Sequence, residues 1–181
     1  MLTLFRPRYT IIAALAFVAS PLSVAPAQQS VADSIASRAT QLFQALQGQW
    51  NCVGGFPNGR ALAATLRFTA SNDGRTLAFE HRDRPPGSYW QTATWAADAR
   101  NNRLLSMAVA GSVNDHNAFP VSLAGSAWSE RSVALESDST KPPINRFTYA
   151  VLADSSLKVG WYLNRNTGWV LGDSLLCRRD R

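Results

Sequence analysis

Leu62-Ala63-Ala64-Thr65-Leu66-Arg67-Phe68-Thr69-Ala70 and Thr76-Leu77-Ala78-Phe79-Glu80-His81-Arg82, joined through Asn72-Asp73-Gly74, decide the fold of this chain. In the first run Leu62, Ala64, Leu66, Phe68 and Ala70 alternate with Ala63, Thr65, Arg67 and Thr69. In the second, Leu77, Phe79 and His81 alternate with Thr76, Ala78, Glu80 and Arg82. Successive side chains of a strand point to opposite faces, so each run builds one apolar face and one mixed face. Asp-Gly between two such runs is a strong hairpin signal, because its turn needs positive φ.

The same period of two continues on both sides. Upstream, Trp50-Asn51-Cys52-Val53 reads as a short strand. Downstream, Arg84-Pro85-Pro86-Gly87 must be loop, since proline cannot donate to a ladder. Tyr89 to Ala96 is strand, with Tyr89 and Trp95 on one face and Trp90 on the other. A polar turn at Asp98 to Asn102 leads to a strand over Leu104–Ala110, and Gly111–Asn117 reads as loop. Two short strands are expected around Val121–Trp128 and Ser132–Glu136, before a break at Pro142-Pro143. Phe147, Tyr149 and Val151 then share a face, as do Leu157, Val159, Trp161 and Leu163 beyond a turn at Asp154-Ser155-Ser156. Arg165 to Gly168 turns the chain, and Val170 to Cys177 is the last strand. The pattern amounts to about nine or ten short strands with hairpin-length connections and no helix between them. That excludes βαβ units and leaves an all-β sandwich or an up-and-down antiparallel β-barrel.

One N-terminal amphipathic helix precedes the strands. Ile35, Ala39, Leu42, Phe43 and Leu46 recur at helical spacing, with Ser37, Arg38, Gln41, Gln44 and Gln47 opposite. Its start is placed near Asp33 by the Ser30–Asp33 spacing, after a linker over residues 28–33. Gly48 is its expected stop. A lone amphipathic helix cannot bury its own stripe, so it is expected across one end of the barrel.

The first residues carry a different signal. Arg6 and Arg8 are followed by an uncharged apolar run, Ile11 to Ala19, and by Ala25-Pro26-Ala27. Basic start, short apolar core and small residues at this spacing form a cleavable secretory signal over residues 1–27. The apolar run is too short for a permanent bilayer span, so no stable membrane insertion is expected after processing. The rest, 34–181 after the linker, is one domain of ordinary size. Loss of the two arginines takes the formal charge from +6 to +4, and no aromatic-plus-basic motif accompanies it, so nucleic acid is not an expected partner.

Two cysteines remain, Cys52 and Cys177. In an oxidising compartment an even, minimal count reads as one disulfide, and paired Cys/His spacings for a metal are lacking. In an up-and-down barrel the first and last strands are neighbours, and these cysteines stand on those strands.

Gly48-Gln49-Trp50, where the helix gives way to the first strand, resembles the Gly-x-Trp opening of lipocalins and other calycins. The resemblance implies that Trp50 closes one barrel end under a basic residue of the last strand, Arg179 or its neighbour Arg178. It also implies an apolar cavity for a small molecule. The chain departs from typical lipocalins in having only Ala153-Asp154-Ser155 where a Thr-Asp-Tyr motif belongs, and no helix after the barrel. It is closer to the lipocalin-like domains of exported bacterial proteins.

Few residues suit catalysis. Ser112, Asp115 and His116 name a triad but are crowded into five positions without a nucleophile elbow. His81-Arg82-Asp83 spells a kinase tripeptide without the glycine-rich loop that chemistry needs. A haem-binding barrel would need a ligating histidine near the chain end, so no cofactor is expected. The aromatic residues are the strongest feature: six Trp, four Tyr and eight Phe. His81, Phe79, Phe147, Tyr149 and Trp161 fall on interior faces and are the candidate cavity lining. The expected function is a periplasmic or secreted binding protein for a small, mostly apolar molecule. The rivals are a hydrolase or isomerase in the same cavity, or an envelope module with a filled core. An interior above roughly 300 Å³ separates the first two from the third.

Overall fold

The structure is a computed structural model describing residues 26–113, 115–137, 144–165 and 167–180, with side chains from Ser34 onward and those of 115–117 excepted. Helix α1 spans Pro26–Leu46. It runs through residues 28–33, expected as a linker, so the Ser30–Asp33 pair lies inside the helix instead of capping it. Pro26, its first residue, has the φ a first helical turn requires, and nothing up to Asp33 breaks the helix. The buried face of α1 is the stripe Ile35, Ala39, Leu42, Phe43 and Leu46, as the spacing predicts. Gly48 ends the helix at φ 122°, a conformation that side chains rarely adopt.

Ten strands follow: β1 (Gly48–Gly55), β2 (Ala61–Ala70), β3 (Thr76–Asp83), β4 (Tyr89–Asp98), β5 (Arg103–Ser112), β6 (Asp115–Gly125), β7 (Ser132–Ser137), β8 (Asn145–Val151), β9 (Leu157–Arg165) and β10 (Gly168–Arg179). Each pairs antiparallel with the next, and β10 returns to β1, closing the barrel. The deciding hairpin is the β2–β3 pair, in which Phe68 faces Phe79 and Leu66 faces His81. Closure places Trp50 opposite Arg179 and Cys52 opposite Cys177. The two cysteines form a disulfide with a Cα–Cα distance of 3.9 Å, across a separation of 125 residues.

Two strand boundaries differ from the sequence reading. The expected loop over Gly111–Asn117 is a tight connection, because β5 reaches Ser112 and β6 starts at Asp115. The register shifts between Gly111 and Ser112, which lets polar residues at the barrel mouth stay in the ladder. At the other end, β6 stops at Gly125, before Trp128. A Cβ on Gly125 would lie 1.9 Å from the carbonyl oxygen of Ala134, so the backbones touch and the chain departs there. Trp128 then makes an isolated bridge to Val133, and the Arg38 guanidinium lies 4.1 Å from its ring centroid. Among the described residues β6 meets β7 at only two paired positions, against ten between β4 and β5, making this the least paired seam.

Helix α1 covers one barrel end. Thr40 donates to the Gly74 carbonyl at 3.4 Å, and Arg38 to Asn102 Oδ1 at 2.7 Å, so the helix rests on the β2–β3 and β4–β5 turns. Beneath it the interior is filled: Leu42, Phe43, Leu46, Trp50, Leu66, Phe68, Leu77, Phe79 and Trp95 are all buried. Each such side chain contributes about 1.5–3 kcal/mol relative to exposure. The helix therefore owes its place to tertiary packing more than to its own propensity.

Candidate functional site

The barrel is filled at the helix end and hollow at the other. A cavity of about 310 Å³ occupies the far end, where β3 finishes, β4 begins and the Phe56 loop passes. Its walls are mostly apolar: Phe56, Leu62, Phe119, Val121, Leu123, Phe147, Tyr149, Val159, Trp161 and Leu175. Set into them are His81, Asp83, Tyr89, Ser137, Asn145 and Asp173. The Arg84–Ser88 loop and the β5–β6 connection gather at this mouth, with Val113 N–H donating to the Ser88 carbonyl at 2.8 Å and Ser112 to Ser88 Oγ at 2.7 Å.

Four of the five residues expected to line the cavity do so: His81, Phe147, Tyr149 and Trp161. Phe79 does not. It is the next inward position of β3 toward the helix, and it is completely buried there, stacked on Phe68 at 4.8 Å between centroids. With Trp95 and Tyr149 it forms an aromatic cluster below the cavity, the Trp95–Tyr149 centroids lying 5.0 Å apart.

The polar side of the cavity is a connected set. His81 Nε2 donates to Asp83 Oδ1 at 2.9 Å, and the Tyr89 backbone N–H donates to Asp83 Oδ2 at 3.3 Å. Both oxygens of Asp83 are thereby occupied. The Tyr89 ring stands edge-on to the His81 ring at 5.2 Å, and its hydroxyl donates to Gln91 Oε1 at 3.0 Å. Burial pushes the Tyr89 phenol above its ordinary value, and Asp83 and Asp173 push it further. Tyr149 is shifted upward by burial too, with Tyr89 and Asp173 adding to the effect. Asp173 is raised to about 6, chiefly by burial; His81 opposes the shift and Asp83 reinforces it.

Asp83, Tyr89 and Asp173 are absent from the sequence-based candidates. Asp173 reaches the cavity by plain alternation with the buried Leu175 and Cys177 of β10. The register between β9 and β10 shifts between Leu171 and Asp173, leaving Gly172 as the extra residue of a bulge. The bulge changes the phase of the residues before it, while Asp173, Leu175 and Cys177 after it share the inward face, Asp173 opposite Trp161. A Cβ on Gly172 would lie 2.4 Å from Trp161 Cε3, so the indole lies directly against the glycine backbone. Trp161 Nε1 donates to Asn145 Oδ1 at 3.0 Å, which holds the ring from its other side. Period two counted back from Cys177 through Leu175 is the sequence signal for Asp173, and the glycine inside the strand is the signal for the bulge.

His116 lies on β6 among the residues whose side chains are not described, and its Asp115 neighbour pairs with Ser112 in the ladder. Among the described residues no group of three His, Cys, Asp or Glu side chains is placed to hold a metal ion. No described helix is long and apolar enough to cross a membrane. No protein-family model matches the chain, and no curated protein matches it.

Proposed function

We propose that this chain is an exported, lipocalin-like binding protein whose barrel holds one small, mostly apolar ligand. The observation that carries this reading is the cavity of about 310 Å³, walled by aromatic and aliphatic side chains at the barrel end the helix leaves open. Ligand sites have this character: an apolar wall and few, well-placed polar groups. The Gly48-Gln49-Trp50 opening and the Arg179 guanidinium over the Trp50 ring support membership of the calycin type. Export is supported by the secretory signal over residues 1–27 and by the Cys52–Cys177 bond, which persists in oxidising compartments. Cleavage after Ala27 removes only Pro26 and Ala27 from α1.

Titration of the mature protein with the neutral fluorophore N-phenyl-1-naphthylamine tests the reading. Saturable binding at one site is expected, lost in Val121→Trp, which fills the cavity, while the circular dichroism of the barrel persists. Absence of saturable binding, or binding unaffected by Val121→Trp, overturns it. N-terminal sequencing of the exported protein should return Gln28; a start at Met1 removes the export claim.

A second reading, an acid–base enzyme in the same cavity, has one observation in its favour. The His81–Asp83 pair at 2.9 Å faces a carboxyl held near 6 within an apolar wall. Turnover of a small ester panel that vanishes in His81→Gln supports this second reading. Absence of turnover by wild-type protein removes it.

A further inference from the structure

We infer that the cavity is built for an organic cation, an amine on a compact apolar or aromatic body, with its ammonium group against Asp173. This rests on the binding reading above and adds the sign of the ligand's charge.

The first observation is the distribution of charge. The chain has 18 Lys and Arg against 12 Asp and Glu. Yet among the described residues the cavity lining contains Asp83 and Asp173 and no lysine or arginine. His81 can offset one carboxylate at most, so with both ionised the site keeps a net negative charge whichever form the imidazole takes. Low-dielectric walls strengthen that field, and a carboxylate ligand would meet it as repulsion.

The second observation separates the two carboxylates. Asp83 is saturated by His81 and by the Tyr89 backbone. Asp173 has no hydrogen-bond partner among the described residues, although it is partly buried in an apolar wall. A carboxylate in such a place is unfavourable until a counter-charge joins it. Tyr149 tells the same story: the residue is 2% exposed, it lines the cavity, and its hydroxyl has no partner among the described residues. Asp173 and Tyr149 therefore leave one acceptor pair and one hydroxyl turned toward the same space.

The third observation is the wall itself. Trp161 faces Asp173 across the β9–β10 ladder, and Phe147, Tyr149 and Tyr89 line the same cavity. Aromatic faces attract ammonium groups through the ring quadrupole, most strongly when the cation is desolvated. Carboxylate and rings together form a site for a cation carrying an apolar body. A neutral ligand would leave the carboxylate uncompensated.

The groups facing Asp173 are His81 and Asp83 on β3, Tyr89 on β4 and Tyr149 on β8. Burial holds the Asp173 carboxyl at about 6, so it is ionised at pH 8 and protonated at pH 5. Protonation of Asp173 weakens the attraction for a cation as pH falls.

Isothermal titration of the mature, disulfide-intact protein with a matched series tests the inference: 4-phenylbutylamine, 4-phenylbutan-1-ol and 4-phenylbutyrate. At pH 8 the amine should bind about tenfold tighter than the alcohol, and the butyrate more weakly than either. The amine's advantage over the alcohol should disappear at pH 5 and in Asp173→Asn, with circular dichroism unchanged. An amine no tighter than the alcohol, or a butyrate that binds best, overturns the cationic ligand and leaves the binding reading standing. Fluorophore binding with none of the three bound has the same meaning. Binding of nothing at all overturns both.

Discussion

The Arg179 guanidinium lies over the Trp50 indole, 4.6 Å from its centroid, and donates to the Ala45 carbonyl at 2.9 Å. Trp50 Nε1 donates to the Leu46 carbonyl at 2.8 Å. Two carbonyls left without partners by the end of α1 are thus taken up by residues of β1 and β10, which face each other across the closure of the barrel. Helix end, first strand and last strand are fastened at one point. Arg179→Ala removes a cation–π contact and a helix-end hydrogen bond together. It should lower stability by about 1–2 kcal/mol in urea unfolding, with Arg179→Met recovering only the packing share. An unchanged urea midpoint would show that the contact contributes nothing.

Phe43 is completely buried between the helix and the barrel interior. Phe43→Ala should cost about 3–5 kcal/mol, because the surrounding strands cannot collapse into the space left. Chemical denaturation measures this directly. A loss under about 0.5 kcal/mol would mean that the helix is a loose leader, and both barrel ends would then be entrances.

The Cys52–Cys177 bond closes a loop of 125 residues between the first and last strands. Its removal in a double Cys→Ala variant should lower stability by about 2–4 kcal/mol, since the unfolded chain regains that freedom. Alkylation followed by mass spectrometry should find no reactive thiol before reduction and two after it. Two thiols alkylated without reduction would contradict the bond.

Asp173 should destabilise the empty protein at neutral pH. Its carboxyl is raised from 3.8 to about 6 on folding, so the folded state prefers the protonated form. The penalty is absent below pH 3.8, grows as pH rises toward 6 and is complete above it. Asp173→Asn should therefore raise the melting temperature at pH 7.5 and leave it nearly unchanged at pH 4. A variant less stable than wild type at pH 7.5 would show that the carboxylate has a stabilising partner. Such a cost at a cavity wall is the expected trade of stability for recognition.

Much of the architecture is legible locally. Alternation around Asn72-Asp73-Gly74 defines β2 and β3 because a strand's side chains repeat every two residues. The helical stripe from Ile35 to Leu46 and the positive-φ glycine after it rest on neighbours a turn apart, so α1 is readable as far back as its apolar face extends. The linker over 28–33 fails for the matching reason: its polar residues carry no periodicity, and nothing in them opposes a helix. Trp128 fails differently. Its apolar neighbours read as strand, but close contact at Gly125 ends β6 first.

What the chain by itself determined is an antiparallel meander: about nine or ten alternating runs, a leading helix, and cysteines on the first and last strands, which an up-and-down barrel makes neighbours. These follow from periods of two and of nearly four residues, which any local window contains. Only the tertiary structure decided the site. His81 and Asp83 come from the third strand and Asp173 from the tenth, and no local pattern relates them. Barrel closure brings those strands around one cavity, where Asp173 stands opposite Trp161. Which side chains meet in the interior depends on ladders between strands far apart in sequence, and a local window holds only one of those strands.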